Sequence, residues 1–103
     1  MNIVKRKTIE LCAQNYPEAA QSLYTWYRDV KKVIWNNPED IKKKYPKASI
    51  IGNNRVVFNI GGNRYRLIVK VKYGFDDVFV VFFGTHQEYD KIQATTINIF
   101  STS

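Results

Sequence analysis

The only histidine of this 103-residue chain, His86, lies directly after an apolar run, in the segment Gly-Thr-His-Gln-Glu-Tyr-Asp-Lys at residues 84–91. Histidine can take up or release a proton near neutral pH, so it can act as a general acid or base. Thr85 and Glu88 have the spacing of a capping box, which predicts a helix that begins at His86. His86 and Tyr89 would then share one face of its first turn, beside unpaired backbone N–H groups that attract phosphate.

A second group of candidate residues is basic and lies on one side of a predicted β-hairpin. Residues 55–60 and 64–73 alternate as strands do, and a glycine-rich segment separates them. A two-residue turn, either Gly61-Gly62 or Gly62-Asn63, keeps the alternate apolar positions together on the face that packs on the helices. The opposite face then carries Arg55, Val57, Asn59, Arg64, Arg66, Ile68 and Lys70.

These two groups together suit the cleavage of RNA without a metal ion. In that reaction the ribose 2′-hydroxyl attacks the adjacent phosphorus. A base takes the hydroxyl proton, cations hold the growing negative charge, and an acid protonates the leaving 5′-oxygen. Arginine suits the cationic role because its planar fork grips two phosphate oxygens. Tyrosine can stack on a nucleobase or lie in the proton path.

The same residues also have ordinary structural explanations. Arginines on an exposed strand face commonly form a solvated surface, and a single histidine at a helix start is commonly structural. Tyr89 could simply cover the edge of the sheet, and the run Lys42-Lys43-Lys44 could be a solvated helix face that also steers an anionic partner. Residue types and spacing alone therefore predict a basic domain that binds a polyanion, and they leave catalysis open.

Composition limits the class of protein. The length predicts one domain over residues 1–103, and the net charge of +7 favours polyanionic partners. One cysteine, Cys12, excludes an internal disulfide, and a single histidine with a single cysteine does not form an ordinary metal site. We therefore expect no metal and no cofactor. The apolar runs are too short to cross a membrane and the N-terminus lacks a signal peptide, so we expect a cytoplasmic protein.

The spacing of apolar residues predicts the elements that position these groups. It predicts a first helix with Thr8 as N-cap, ending before Pro17. A second helix carries the stripe Leu23, Trp26, Tyr27, Val30, Val33 and Ile34. A short third helix begins in residues 36–40 and ends near residue 45.

Strand signals begin at Ala48. A short strand over residues 48–51 precedes the hairpin, and residues 78–83 are apolar on both faces, which predicts a central strand. The fold class is therefore α+β, with N-terminal helices packed on one face of a small antiparallel sheet and a short C-terminal helix after it.

Several segments together carry a family resemblance. They are residues 55–60, the run Gly62-Asn63-Arg64-Tyr65-Arg66-Leu67-Ile68 and, above all, Gly84-Thr85-His86-Gln87-Glu88-Tyr89-Asp90-Lys91-Ile92. Trp26-Tyr27, Trp35 and the stretch from Asp40 to Pro46 contribute as well. These segments closely resemble HigB-type toxins of bacterial toxin–antitoxin systems, over residues 3–97.

The resemblance implies a RelE-like fold and an mRNA interferase, a toxin that cleaves mRNA, commonly on translating ribosomes, and so arrests translation and growth. It also implies a HigA-like helix-turn-helix antitoxin that represses the shared operon, so that operator DNA is contacted only through the antitoxin. By position in the motifs, the active site would comprise Arg66, His86 and Tyr89. The supporting RNA or phosphate contacts would be Arg55, Arg64, Lys70 and Lys91.

We therefore predict a metal-independent endoribonuclease. Arg66 would stabilise the charge on phosphorus with help from Arg64, and His86 would act as general acid or base. Tyr89 would stack on or align the scissile nucleotide. The products would be a 2′,3′-cyclic phosphate, or the 3′-phosphate formed from it, and a 5′-hydroxyl. The alternative is a non-catalytic RNA- or ribosome-binding module that uses the same basic face.

Overall fold

The computed structural model describes residues 1–100, which form a five-stranded sheet with helices on one face. The strands are β1 Asn2–Val4, β2 Ser49–Ile51, β3 Arg55–Ile60, β4 Tyr65–Lys72 and β5 Asp77–Thr85. The helices are α1 Arg6–Asn15, α2 Ala20–Lys31, α3 Pro38–Lys44 and α4 His86–Tyr89, with 3₁₀ turns at Pro17–Ala19 and Tyr73–Phe75. The predicted α+β class is confirmed. None of the helices in residues 1–100 combines the length and hydropathy that a membrane span needs.

The sheet has the order β1-β5-β4-β3-β2. Strand β5 lies between β1 and β4, as its apolar character on both faces predicted. Strand β1 was not predicted, because three residues are too few to show an alternating pattern. It pairs in parallel with β5, with Ile3 opposite Val78, so the prediction of a purely antiparallel sheet is wrong at this one edge.

The β3–β4 hairpin has the predicted register. Val56 lies opposite Val69 and Phe58 opposite Leu67, and these side chains are buried against the helices. The strand pairing ends at Ile60 and Tyr65, and the chain reverses with positive φ at Gly61 (64°), Gly62 (63°) and Asn63 (82°) and a bond from the N–H of Arg64 to the carbonyl of Gly61, so that Gly62 and Asn63 are the central turn residues. Of the two turns that the parity allowed, the structure therefore has Gly62-Asn63.

The helices differ from the prediction at two ends. Thr8 is buried within α1 and is not its N-cap; the N-cap is Lys5, because β1 brings the chain directly to that position. Helix α2 ends at Lys31, and Ile34 is 60% exposed rather than part of the buried stripe. The N–H of Lys32 donates to the carbonyl of Asp29 and the N–H of Val33 to that of Val30, both at 3.3 Å, and these i→i−3 bonds tighten the last turn and end the helix there.

The main core lies between the helices and the sheet. The ring of Phe58 contacts Trp26 edge-on at 5.4 Å and stacks on Trp35 at 5.9 Å between centroids. Helix α3 adds Ile41, which is fully buried, and begins where the Asn37 side chain accepts from the N–H of Asp40. This aromatic packing holds the hairpin firmly against the N-terminal helices.

The opposite sheet face, which carries the predicted basic residues, is only partly open. Val57, Ile68, Val81 and Phe82 form a second buried cluster, and the segment after α4 packs on it through Ile92, Ala94 and Ile97. A register shift at Ile68/Val69 leaves two β5 residues, Val81 and Phe82, on this side. The apolar residues that lie among the basic ones on this face are therefore buried by the C-terminal segment, residues 92–97.

Candidate active site

The predicted capping box is present and begins α4 at His86. The Thr85 side chain accepts from the N–H of Glu88 (3.1 Å), and Glu88 Oε1 accepts from the N–H of Thr85 (2.9 Å). The end of β5 therefore passes into a single helical turn whose geometry is fixed by two reciprocal hydrogen bonds.

A residue from the other end of the chain, Tyr16, supports the capping box. Its hydroxyl donates to Glu88 Oε1 at 2.8 Å, and its ring packs edge-on against Tyr65 and Phe83. Hydrogen bonds from the Thr85 backbone and from Tyr16 hold the pKa of Glu88 below its usual value. Burial, with the bond to Glu88, raises the pKa of Tyr16 to about 12. This role of Tyr16 could not be predicted from the sequence, because no residue near it indicates a partner 72 residues away.

The start of α4 differs from the expected phosphate site. The N–H of His86 donates to the carbonyl of Arg64 (2.9 Å), and the N–H of Glu88 is used by Thr85. The helix has only four residues. Its first N–H groups are thus largely satisfied within the protein, so the helix start does not by itself form the expected phosphate site.

Arg66 is fixed at the same end. It lies opposite Gly84 in the β4–β5 pair, and Gly84 precedes His86 by two residues. Its Nη1 donates to the carbonyls of Asn63 (2.9 Å) and Tyr65 (3.2 Å), and its Cζ lies 6.0 Å from the centre of the Tyr89 ring. Within residues 1–100, Nε and Nη2 have no hydrogen-bond partner, so the guanidinium is held by one edge and can donate from the other.

His86 has a carboxylate beside it. Its Nδ1 lies 3.3 Å from Asp90 Oδ2, one helical turn later, and both side chains are about half exposed. A carboxylate at Nδ1 orients the imidazole and leaves Nε2 for an external group. Nε2 contacts no polar partner in the described part of the chain. Asp90 was not assigned a role from the sequence, although its spacing from His86 would have allowed this contact to be inferred.

An open groove of about 560 Å³ lies beside His86, and its lining includes Arg64, Tyr65, Thr85, His86 and Asp90 but neither Arg66 nor Tyr89. The structure thus brings together four of the seven predicted site residues, with Arg64 beside His86 and Arg66 over Tyr89. Lys91 is exposed and follows α4 directly.

The other two predicted residues lie elsewhere. Lys70 pairs with Phe79 and Arg55, at the opposite end of the sheet from α4. The expectation that Arg55 lies on an exposed face is wrong, because the residue is only 6% exposed. Its Nη1 donates to the carbonyls of Ala94 (2.9 Å) and Ile97 (2.6 Å), and burial lowers its pKa. Arg55 therefore holds the C-terminal segment onto the sheet.

Comparisons with known proteins show the family of this chain. The model of the HigB toxin family, described as the RelE-like toxic component of a toxin–antitoxin system, matches residues 19–92. The chain is 31% identical over 94 residues to "mRNA interferase HigB" of Escherichia coli O6:H1, covering 89% of this chain and 91% of that protein. It is 26% identical over 92 residues to "mRNA interferase toxin HigB" of Escherichia coli K12, covering 87% and 88%. The chain belongs to the HigB toxin family, the RelE-like toxic components of toxin–antitoxin systems.

Proposed function

We propose that the chain is an mRNA interferase, an endoribonuclease toxin that cleaves mRNA on translating ribosomes and so arrests growth. The names of its relatives support the activity. The observation that carries the proposal is the position of Arg66. Two backbone carbonyls hold its guanidinium over Tyr89, and the residue lies opposite Gly84, which precedes His86 by two positions. A cation fixed beside a proton-transfer group is the arrangement that RNA cleavage needs.

The reaction proceeds by attack of the ribose 2′-oxygen on the adjacent phosphorus. The hydroxyl proton passes to a base, the bond from phosphorus to the 5′-oxygen breaks, and that oxygen receives a proton from an acid. Nε and Nη2 of Arg66 donate to the non-bridging phosphate oxygens as their charge grows, and Arg64 assists from the groove wall. His86 transfers a proton through Nε2 while Asp90 holds Nδ1. The products are a 2′,3′-cyclic phosphate and a 5′-hydroxyl.

Tyr89 has two contacts that define its part. Its ring lies under the Arg66 guanidinium and also packs against the second buried cluster, which includes Ile68 and Phe82. The ring therefore holds Arg66 in place from below, and its exposed edge aligns the scissile nucleotide. Lys91 and, farther along the sheet, Lys70 contribute phosphate contacts to the flanking RNA.

The partners follow from the family. We propose that a HigA-like helix-turn-helix antitoxin neutralises this toxin, that operator DNA is contacted only through that antitoxin, and that the toxin acts in the cytoplasm. We further propose that cleavage requires no metal ion. The nucleophile is the ribose 2′-hydroxyl, Arg66 supplies the positive charge and His86 supplies one of the two proton transfers, so none of these roles calls for a metal ion.

The proposal is tested by inducing the chain in bacteria while mapping mRNA 5′ ends. We expect growth arrest with new 5′-hydroxyl ends for the wild-type protein, and neither for Arg66→Ala or His86→Ala. Arg28→Ala, which removes an exposed arginine from α2, is the matched control and should remain toxic. Toxicity without new 5′-hydroxyl ends would favour the non-catalytic binding module instead. Full toxicity of the Arg66→Ala/His86→Ala double variant would refute the assigned site.

A further inference from the structure

A second groove adjoins the active site on the side of the hairpin turn. It has a volume of about 460 Å³, and its lining includes Lys44, Tyr45, Pro46, Lys47, Asn59 and Asn63. This volume is in the range of sites that hold small molecules or single units of a polymer. The reaction described above uses none of these side chains.

The groove is continuous with Arg66 through two of its residues. Asn59 lies directly opposite Arg66 in the β3–β4 pair, and directly opposite residues share a sheet face with their Cβ atoms about 5 Å apart. Asn63 provides one of the carbonyls that accept from Arg66 Nη1. A nucleotide next to the scissile phosphate would therefore pass over Asn59 or Asn63 on leaving Arg66.

The loop that forms the far wall is held in place by hydrogen bonds and rings. Lys42 Nζ donates to the carbonyls of Pro46 (2.6 Å) and Ala48 (2.7 Å), which ties the loop after α3 back to the helix. The ring of Tyr45 packs edge-on against Phe58, with centroids 5.1 Å apart. Of the lysine run at residues 42–44, the first residue is thus structural, and these contacts tie the groove wall to α3 and β3.

The charge of the groove is not neutralised. Lys44 and Lys47 are exposed, and in the part of the chain from residue 1 to residue 100 neither forms a salt bridge. Tyr45 and Pro46 offer an apolar surface between them, and the exposed amide of Asn59 can both donate and accept. Two free ammonium groups suit the phosphate of a nucleotide, and the apolar surface and the amide beside them suit its base.

We propose that this groove binds a nucleotide that flanks the scissile phosphate, with Lys44 and Lys47 contacting backbone phosphates and Asn59 hydrogen-bonding the nucleotide. The inference rests on the proposed function, because it extends the RNA path from the same Arg66 site. It assigns RNA contacts to α3, the following loop and β3, outside the group of residues around His86.

The first test is the salt dependence of RNA binding. A single-stranded oligonucleotide with 2′-O-methyl groups at every ribose serves as the probe, because its blocked hydroxyls cannot attack. Each phosphate contact contributes about 0.7 to the slope of log K against log salt, so Lys44→Ala/Lys47→Ala should reduce the slope by about 1.4. Lys32→Ala/Lys43→Ala removes the same charge outside the groove and should leave the slope unchanged. Equal effects of the two double variants would overturn the proposal.

The second test separates this groove from the catalytic proposal. Cleavage is measured on mRNAs that are bound to ribosomes and extended stepwise on both sides of one cut site, and the ratio of kcat/KM for long to short RNA is compared. We expect Lys44→Ala/Lys47→Ala and Asn59→Ala to lower that ratio about tenfold, and Lys32→Ala/Lys43→Ala to leave it as in the wild type. An unchanged ratio in the groove variants overturns the groove while cleavage stands. If the wild-type chain cleaves no RNA, the catalytic proposal fails, and the salt slopes of RNA binding alone test whether the groove binds a nucleotide.

Discussion

The guanidinium of Arg66 lies over the ring of Tyr89, with Cζ 6.0 Å from the ring centroid, and the two residues form one unit beside His86. Two backbone carbonyls hold Nη1 at the same time. The positive charge is therefore held in place within the protein itself, and in the proposed reaction it would need no reorganisation as charge develops on the phosphate.

Two substitutions of Arg66 should distinguish the effect of its positive charge from that of its hydrogen-bonding geometry. We expect Arg66→Ala to lower the single-turnover cleavage rate about 10²- to 10³-fold, the usual loss when one positioned donor to a developing oxyanion is removed. Arg66→Lys keeps the charge but cannot donate to two carbonyls and two phosphate oxygens at once, so it should recover only part of the rate. Circular dichroism should show both variants folded. Wild-type rates for Arg66→Lys would mean that the planar fork is not needed.

Gly84 is required for close packing beside the capping box. A Cβ at this position would lie 2.9 Å from Phe82 Cζ and 3.1 Å from Glu88 Oε1. We expect Gly84→Ala to lower the free energy of unfolding by about 1–3 kcal/mol and to displace α4, with loss of cleavage. Gly74→Ala is the control, since nothing lies within 4 Å of its Cβ, and it should be nearly neutral in urea denaturation. Equal effects at both glycines would contradict this packing.

The capping box should make stability depend on acid pH. The pKa of Glu88 is held below its ordinary value in the folded chain, so its stabilising effect is present above the unfolded pKa, about 4.3. This effect is lost as pH falls through the lower folded value. We expect Glu88→Gln to be less stable than wild type at pH 7, with a difference that shrinks below about pH 4. Urea denaturation from pH 7 to pH 3 measures it, with the exposed Glu18→Gln as control. A constant difference over that range would exclude Glu88 as the titrating group.

Arg55 should act on stability rather than on RNA. Removing its buried guanidinium leaves the carbonyls of Ala94 and Ile97 without their donor, so Arg55→Met should cost about 2–4 kcal/mol of unfolding free energy. Limited proteolysis should then cut within the C-terminal segment. Where the variant remains folded, its RNA-binding salt slope should match that of Arg28→Met. Normal stability with a reduced salt slope of RNA binding would contradict this role and indicate that Arg55 contacts RNA.

The sequence was most informative where local rules decide structure. The capping box of Thr85 and Glu88, the hairpin parity and the central strand β5 follow from patterns within a few residues. What could not be predicted depends on contacts distant in the chain. Tyr16 reaches Glu88, and β1 pairs with β5 across more than 70 residues. Arg55 was misjudged because alternation assigns a residue to a face but does not tell whether a later segment covers that face.

The most direct test of the central claim is the chemistry of the cut itself. A defined mRNA, bound to translating ribosomes, is prepared with a single 2′-deoxyribose at the nucleotide whose 2′-hydroxyl would attack, beside an all-ribose control. We expect cleavage of the control with a 5′-hydroxyl on the downstream fragment, and no cleavage at the deoxy position. Cleavage at the deoxy position, or a 5′-phosphate on the downstream fragment, would contradict 2′-hydroxyl attack and with it the roles given to Arg66 and His86.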